Sequence, residues 1–322
     1  MMLLLIGLAA GAHGLGLLSP AILSFVDPAM PVALVALGTL LGLRVRIRRP
    51  GGWRARAAAS TGALATMAVV FGGIVFVVPE WGAGGSLPYW FLPLAVAIGA
   101  ASSAADEVLP VVAGGVALAL LREPSPMGAL LLLLQACGVA VVIAAAWWLL
   151  LTKSRSETEQ RIFTIATLLL LGGVADYLSL SALLSGLVAG ICLDLAGGPA
   201  RDFVRRDILH VQHPLLALVL VVTGARVEPA YPWLGLAAAY LGLAFAGDAA
   251  GRWLAARLAD MRLPAGDVTL LSPGGVLGIA FALNVLRAAG PDAAPALTVV
   301  AIGAIGVELI AAMSGRREAA LA

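Results

Sequence analysis

About seven stretches of roughly 18 residues or more pass through this chain with almost no charge, and that narrows its folds to those that live in lipid. Hydrophobic residues make up 61% of the 322 and charged residues 12%, with a mean hydropathy of +1.02, so a solvated globular surface cannot be built from them. The runs lack the period-two polarity of barrel strands, which leaves helices as the way to satisfy the backbone in hydrocarbon. The expected class is therefore an all-α polytopic membrane protein whose first partner is the lipid bilayer.

Taken in order, residues 2–23 read as one helix, with Gly11, Gly14 and Gly16 as close-packing positions. Helices are expected at about 31–43, 57–78, 127–151, 161–175, 178–196, 211–225, 231–256, 265–288 and 293–313. A short basic interfacial segment is expected between 196 and 211. Arg44, Arg46, Arg48, Arg49, Arg54 and Arg56 form the densest basic cluster, and beside a membrane span the positive-inside rule puts such a cluster in the cytoplasm. Alternation then decides how often residues 88–121 cross. With two crossings, the loops near 153–161, 201–206 and 257–262 and the tail at Arg316 and Arg317 are cytoplasmic, and only Arg122, Arg226 and Arg287 fall outside. One crossing would put two basic loops outside. The charge bias thus favours 11 to 12 transmembrane helices with both termini cytoplasmic, in a multi-pass cell-membrane protein of bacterial inner-membrane type.

Within 88–121 the apolar run is broken by Ser102, Ser103, Asp106 and Glu107. Two adjacent carboxylates in hydrocarbon cost several kcal/mol unless a wet cavity or a cation receives them, which marks the pair as functional. A second interruption comes late, where Pro273 removes a backbone donor and Gly274 and Gly275 loosen the helix. Two interrupted hydrophobic segments, one per half, point to a secondary transporter with inverted repeats and a site near the midplane. The chain then reads as one transport domain over 1–322, with a first repeat within 31–151 and a second within 211–313. Asn284 is a further oxygen-bearing candidate, or ordinary interhelical packing.

Four stretches carry a family resemblance. DYLSLSALLSGLVAGICL (176–193), HPLLALVLVVTGARVEP (213–229), LGTLLGLRVRIRR (37–49) and LLSPGGVLGIAFAL (270–283) together resemble, in consistent order, segments of the monovalent cation:proton antiporter superfamily. The resemblance implies a sodium/proton antiporter-like fold, and it implies that Asp106 and Glu107 stand for the acidic pair that binds cation or proton, with Ser102 and Ser103 adding oxygens. In a second register the serines belong to the broken helix and Gln135, Ala136 and Cys137 take the acid position; the first is preferred because it carries the chain through REPSPMG without a gap. Departures are plain. Arg44 and Val276 stand where glutamates are usual, and Asp248 where many members place a base. Asp248 has Arg252 one helical turn on, so either the two pair or Asp248 joins the acids in the cavity.

The expected function is monovalent cation (Na⁺ or K⁺)/proton antiport by alternating access, in a homodimer. A channel or a transporter of another small solute would keep the broken helices without the exchange, and a non-transporting subunit or sensor would account for the missing charges. No nucleotide loop, zinc-protease helix or nucleophile elbow is present, and Cys137, Cys192, His13, His210 and His213 have no metal-like spacing. The chain is therefore expected to be no enzyme, with no cofactor, no resident metal and no nucleic-acid partner.

Overall fold

A computed structural model describes residues 2–11, 14–44, 53–77, 108–154, 156–228, 233–259, 275–290 and 294–321. Among these the chain is helical throughout: α1 Met2–Ala10, α2 Pro20–Val26, α3 Ala29–Arg44, α4 Trp53–Val77, α5 Val108–Arg122, α6 Pro126–Lys153, α7 Glu157–Tyr177, α8 Ala182–Ala196, α9 Pro199–Ala225, α10 Trp233–Ala259, α11 Gly275–Ala289 and α12 Ala294–Leu321. Three of them, Pro126–Lys153, Pro199–Ala225 and Trp233–Leu254, combine the length and hydropathy of a full membrane crossing.

Local chemistry sets the helix starts. Ser125 and Ser156 each accept a hydrogen bond from a backbone N–H in the first turn of α6 and α7, at 3.1 and 3.2 Å, and satisfy donors that a new helix leaves open. Pro126 fills the first position of α6, while Glu157 and Glu159 place negative charge at the positive end of α7. Along α6 the small residues Ala129, Ala136, Ala140 and Ala144 turn inward, and Leu130, Leu131, Leu134, Val141 and Val142 turn outward. That is the reverse of a soluble helix and suits a lipid surround, where association rests on close packing instead of apolar burial.

Two bundles result. One gathers α1, α3, α6, α7, α8 and α9; the other gathers α4, α10, α11 and α12, and α5 lies in the seam between them. Each draws helices from both expected repeats. The first is held by α3 and α8, which run parallel with backbones nearly touching: a Cβ added at Gly38 or Gly42 would overlap the carbonyl oxygen of Leu183 or Leu187, and one at Gly186 or Gly190 that of Val35 or Thr39. In the second, α4 and α10 run antiparallel, Gly251 facing Gly62 and Gly247 facing Thr66.

Three expectations are corrected. Residues 2–23 are not one helix: α1 stops at Ala10 and α2 starts at Pro20, with Ser19 as its cap and Gly16 at φ +66°, a turn glycine with open space around it. Of the three glycines named there, Gly11 is the one pressed against another helix, at Ala225. The segment 196–211 is not separate either. From Pro199 on it is the first half of α9, which runs unbroken through Pro214 to Ala225; membrane helices absorb an internal proline because neighbouring groups take up the freed carbonyl. Finally, α7 begins at Glu157, so the polar loop after α6 is short and most of its charges lie on helix.

The polarity of the bundle follows the charges. Arg44, Lys153, Arg161, Arg201, Arg205, Arg206, Arg252 and Arg257 sit on the ends of helices that all reach one face, the basic face. Arg122, Arg226 and Arg287 lie at the opposite face, the last two beside Asp27 and Asp176. Both α4 and α5 finish at that opposite face, which is the arrangement the two-crossing count of residues 88–121 expects.

Candidate functional site

Two helices, α5 and α11, meet in the seam. Both run toward the face that carries Arg122 and Arg287. They meet where a Cβ on Gly114 would overlap the ring of Phe281.

The residues that matter most to the expected site border this point in sequence. Asp106 and Glu107 directly precede α5, and Pro273 and Gly274 directly precede α11; these four, with Ser102 and Ser103, lie outside the described residues. Gly275 is the first residue of α11. Asn284 is 3% exposed, and its Nδ2 donates a hydrogen bond of 2.9 Å to Ser181 Oγ. Ser181 also accepts from the Leu184 N–H at 3.2 Å as the cap of α8, so one hydroxyl starts a helix in the first bundle and receives a side chain from the second. Beside it, Ser179 takes the left-handed region at φ +54°, a conformation costly for a non-glycine residue, in the tight turn from α7 to α8. A small cavity of about 20 Å³ opens here between α5, α6 and α8, with Arg122, Ser179, Ser181 and Ala136 among its lining residues. Gln135 and Cys137, from the second register, flank Ala136 on α6, Gln135 exposed and Cys137 half-buried.

Asp248 and Arg252 are paired, with 2.8 Å between Arg252 Nη2 and Asp248 Oδ2, near the basic end of α10. The contact is a charge attraction without hydrogen-bond alignment, since Oδ2 has no aligned donor. Asp194 and Arg201 pair in the same manner at 2.9 Å between α8 and α9, with Asp194 6% exposed. Arg252 is 44% exposed, so solvent screens much of its charge and losing its partner costs about 1 kcal/mol or less. We therefore expect Asp248→Asn to lower the melting temperature by about 1–2 °C and to leave the pH profile of transport in place. An unchanged melting temperature with a shifted profile would put Asp248 in the cavity instead.

A cluster that the sequence did not single out lies at the opposite face. Arg287, on α11, donates from Nη1 to the Asp27 carbonyl oxygen at 3.1 Å and to Asp27 Oδ1 at 3.3 Å, and from Nη2 to Asp176 Oδ1 at 2.8 Å. Arg226, at the end of α9, donates to the same Asp27 carboxylate. Two arginines and two aspartates, from four helix ends, thus neutralise one another. The signal available in the sequence was that Arg226 and Arg287 violate the charge bias; their partners are distant in the chain.

No protein-family model matches the sequence, and no curated protein matches it. Among solved structures, the chain is similar to the sodium proton antiporter MjNhaP1 from Methanocaldococcus jannaschii at 16% identity and a TM-score of 0.65, over 98% of this chain and 90% of that one. At that identity the likeness speaks to architecture alone: this chain is folded like that antiporter.

Proposed function

We propose that this protein is a secondary transporter that exchanges a monovalent cation, Na⁺ or K⁺, for protons by alternating access, with Asp106 and Glu107 as the shared site. The observation that carries the reading is the contact of α5 with α11 in the seam of an antiporter fold, next in sequence to the acidic pair. Asp106 and Glu107 are the two residues before Val108 in the sequence, and adjacent carboxylates in an apolar run cost several kcal/mol unless a wet cavity or a cation receives them. A carboxylate that can hold a cation or a proton, but not both, converts competition into exchange once the site faces the two sides in turn. Ser102, Ser103 and the backbone freed around Pro273 and Gly274 would supply further oxygens to a cation stripped of water.

In this reading the basic face lies in the cytoplasm of a bacterial-type cell membrane and the Arg226–Arg287 face lies outside, following the charge bias. The two stretches 31–151 and 211–313 act as inverted repeats, and the two bundles are the bodies that rock against each other. A homodimer is part of the proposal. Proton movement driven by Na⁺ or K⁺ in liposomes holding the pure protein is its test.

A further inference from the structure

Among the described residues the seam between the bundles carries polar links from Arg287 to Asp27, from Arg287 to Asp176, from Asn284 to Ser181, and from the Glu228 N–H to Thr298 Oγ1 at 3.3 Å. Each joins an element of the second bundle, α11 or α12, to the first bundle or its loops. All four sit at the face of Arg122, Arg226 and Arg287. The ion pairs named at the basic face behave differently. Asp194–Arg201 at 2.9 Å, Glu157–Arg206 at 3.4 Å and Asp207–Arg161 at 3.7 Å tie α7, α8 and α9 to one another within the first bundle, and Asp248–Arg252 stays within α10.

We propose that Arg287 is the latch that holds the seam shut at the extracytoplasmic face, a two-armed clamp from α11 to the α2–α3 junction through Asp27 and to the end of α7 through Asp176. Its chemistry suits the task. A guanidinium presents planar donors that can engage two carboxylates and a carbonyl at once. Arg287 is 17% exposed, Asp27 34% and Asp176 49%, so the contacts are sheltered enough to hold and wet enough to part, since water can take over both carboxylates when they do. Arg226 anchors Asp27 from inside the first bundle, which keeps the receiving carboxylate in place when Arg287 leaves. Asn284, one turn before Arg287 on α11, and Ser181 form the next layer inward. Opening toward this face means separating α11 from α3, α7 and α8, and the two arms of Arg287 are the first contacts such a motion breaks.

The proposal rests on the alternating-access reading, and its test uses accessibility, which does not depend on transport. Leu184 is 5% exposed and lies against Gly115 in the seam just below Ser181, so a cysteine there reports opening. In a background with Cys137→Ala and Cys192→Ala, Leu184→Cys should react slowly with an impermeant methanethiosulfonate added outside intact cells. Arg287→Gln should speed labelling by about tenfold, the scale set by losing charge-assisted hydrogen bonds at a half-sheltered site. Asp176→Asn, which frees one arm and alters a half-exposed side chain, should speed it by about threefold and serves if Arg287→Gln does not fold. Asp194→Asn, at the basic face, should leave the rate unchanged. Equal rates in parent, Arg287→Gln and Asp176→Asn would overturn the latch, and so would an equal rise in Asp194→Asn, since that would be general loosening. If the parent carries out cation-driven proton flux and labelling does not respond, the latch alone falls. If labelling responds and the parent moves no protons, antiport falls and the latch stands.

Discussion

Replacing Asp106 with Asn and Glu107 with Gln together is expected to reduce cation-driven proton movement at least 100-fold while the protein still inserts and folds. The amides keep the volume and can donate and accept hydrogen bonds, but they neither titrate nor carry the charge that a dehydrated cation needs. Each single change should also abolish exchange if both carboxylates share the site, because like charges at that spacing hold one proton or one cation between them. The measurement is flux in proteoliposomes at matched protein content, with the melting temperature taken alongside. Wild-type flux from the double variant would move the site off this pair, and the second register, in which Gln135, Ala136 and Cys137 occupy the acid position, would then leave the helix α6 with no acid there at all.

The second large effect concerns stability. Gly186→Val should lower the melting temperature by about 5–10 °C or prevent recovery of folded protein, because the added carbons overlap the Val35 carbonyl oxygen on the facing helix and backbone cannot swing aside as a side chain would. Gly173→Val, on the exposed side of α7 with nothing within 4 Å of an added Cβ, is the matched control and should shift the melting temperature by about 2 °C or less. A Gly186→Val protein as stable as the control would mean that α3 and α8 are not packed backbone to backbone.

Much of this molecule was legible in its sequence. Hydropathy gave the class, because lipid leaves the chain no alternative to internally bonded helices, and the weak motifs at 37–49, 176–193, 213–229 and 270–283 led to the fold that the structural comparison shows. Local rules failed where tertiary contact decides. The glycines at 11, 14 and 16 look alike in sequence, yet Gly11 is packed on Ala225 and Gly16 makes a turn. A helix was expected from about 211, and the one observed starts at Pro199 and runs through Pro214. The Arg287 clamp could not be read, because its partners stand 260 and 111 residues away and single-sequence reasoning sees only neighbours at helical spacing. For the same reason Asp248 and Arg252, four apart, were visible as a pair, and Ser181 was not visible as the partner of Asn284.

Exchange itself is the claim on which the rest depends. The purified chain should be reconstituted in sealed liposomes with a pH-sensitive dye inside, and Na⁺, K⁺ or choline should be added outside with no membrane potential. The account predicts that the inward Na⁺ or K⁺ gradient drives protons out and alkalinises the interior, that choline does nothing, and that reversing the cation gradient acidifies it. Proton movement that is absent with both cations, or that is the same with choline, would contradict it.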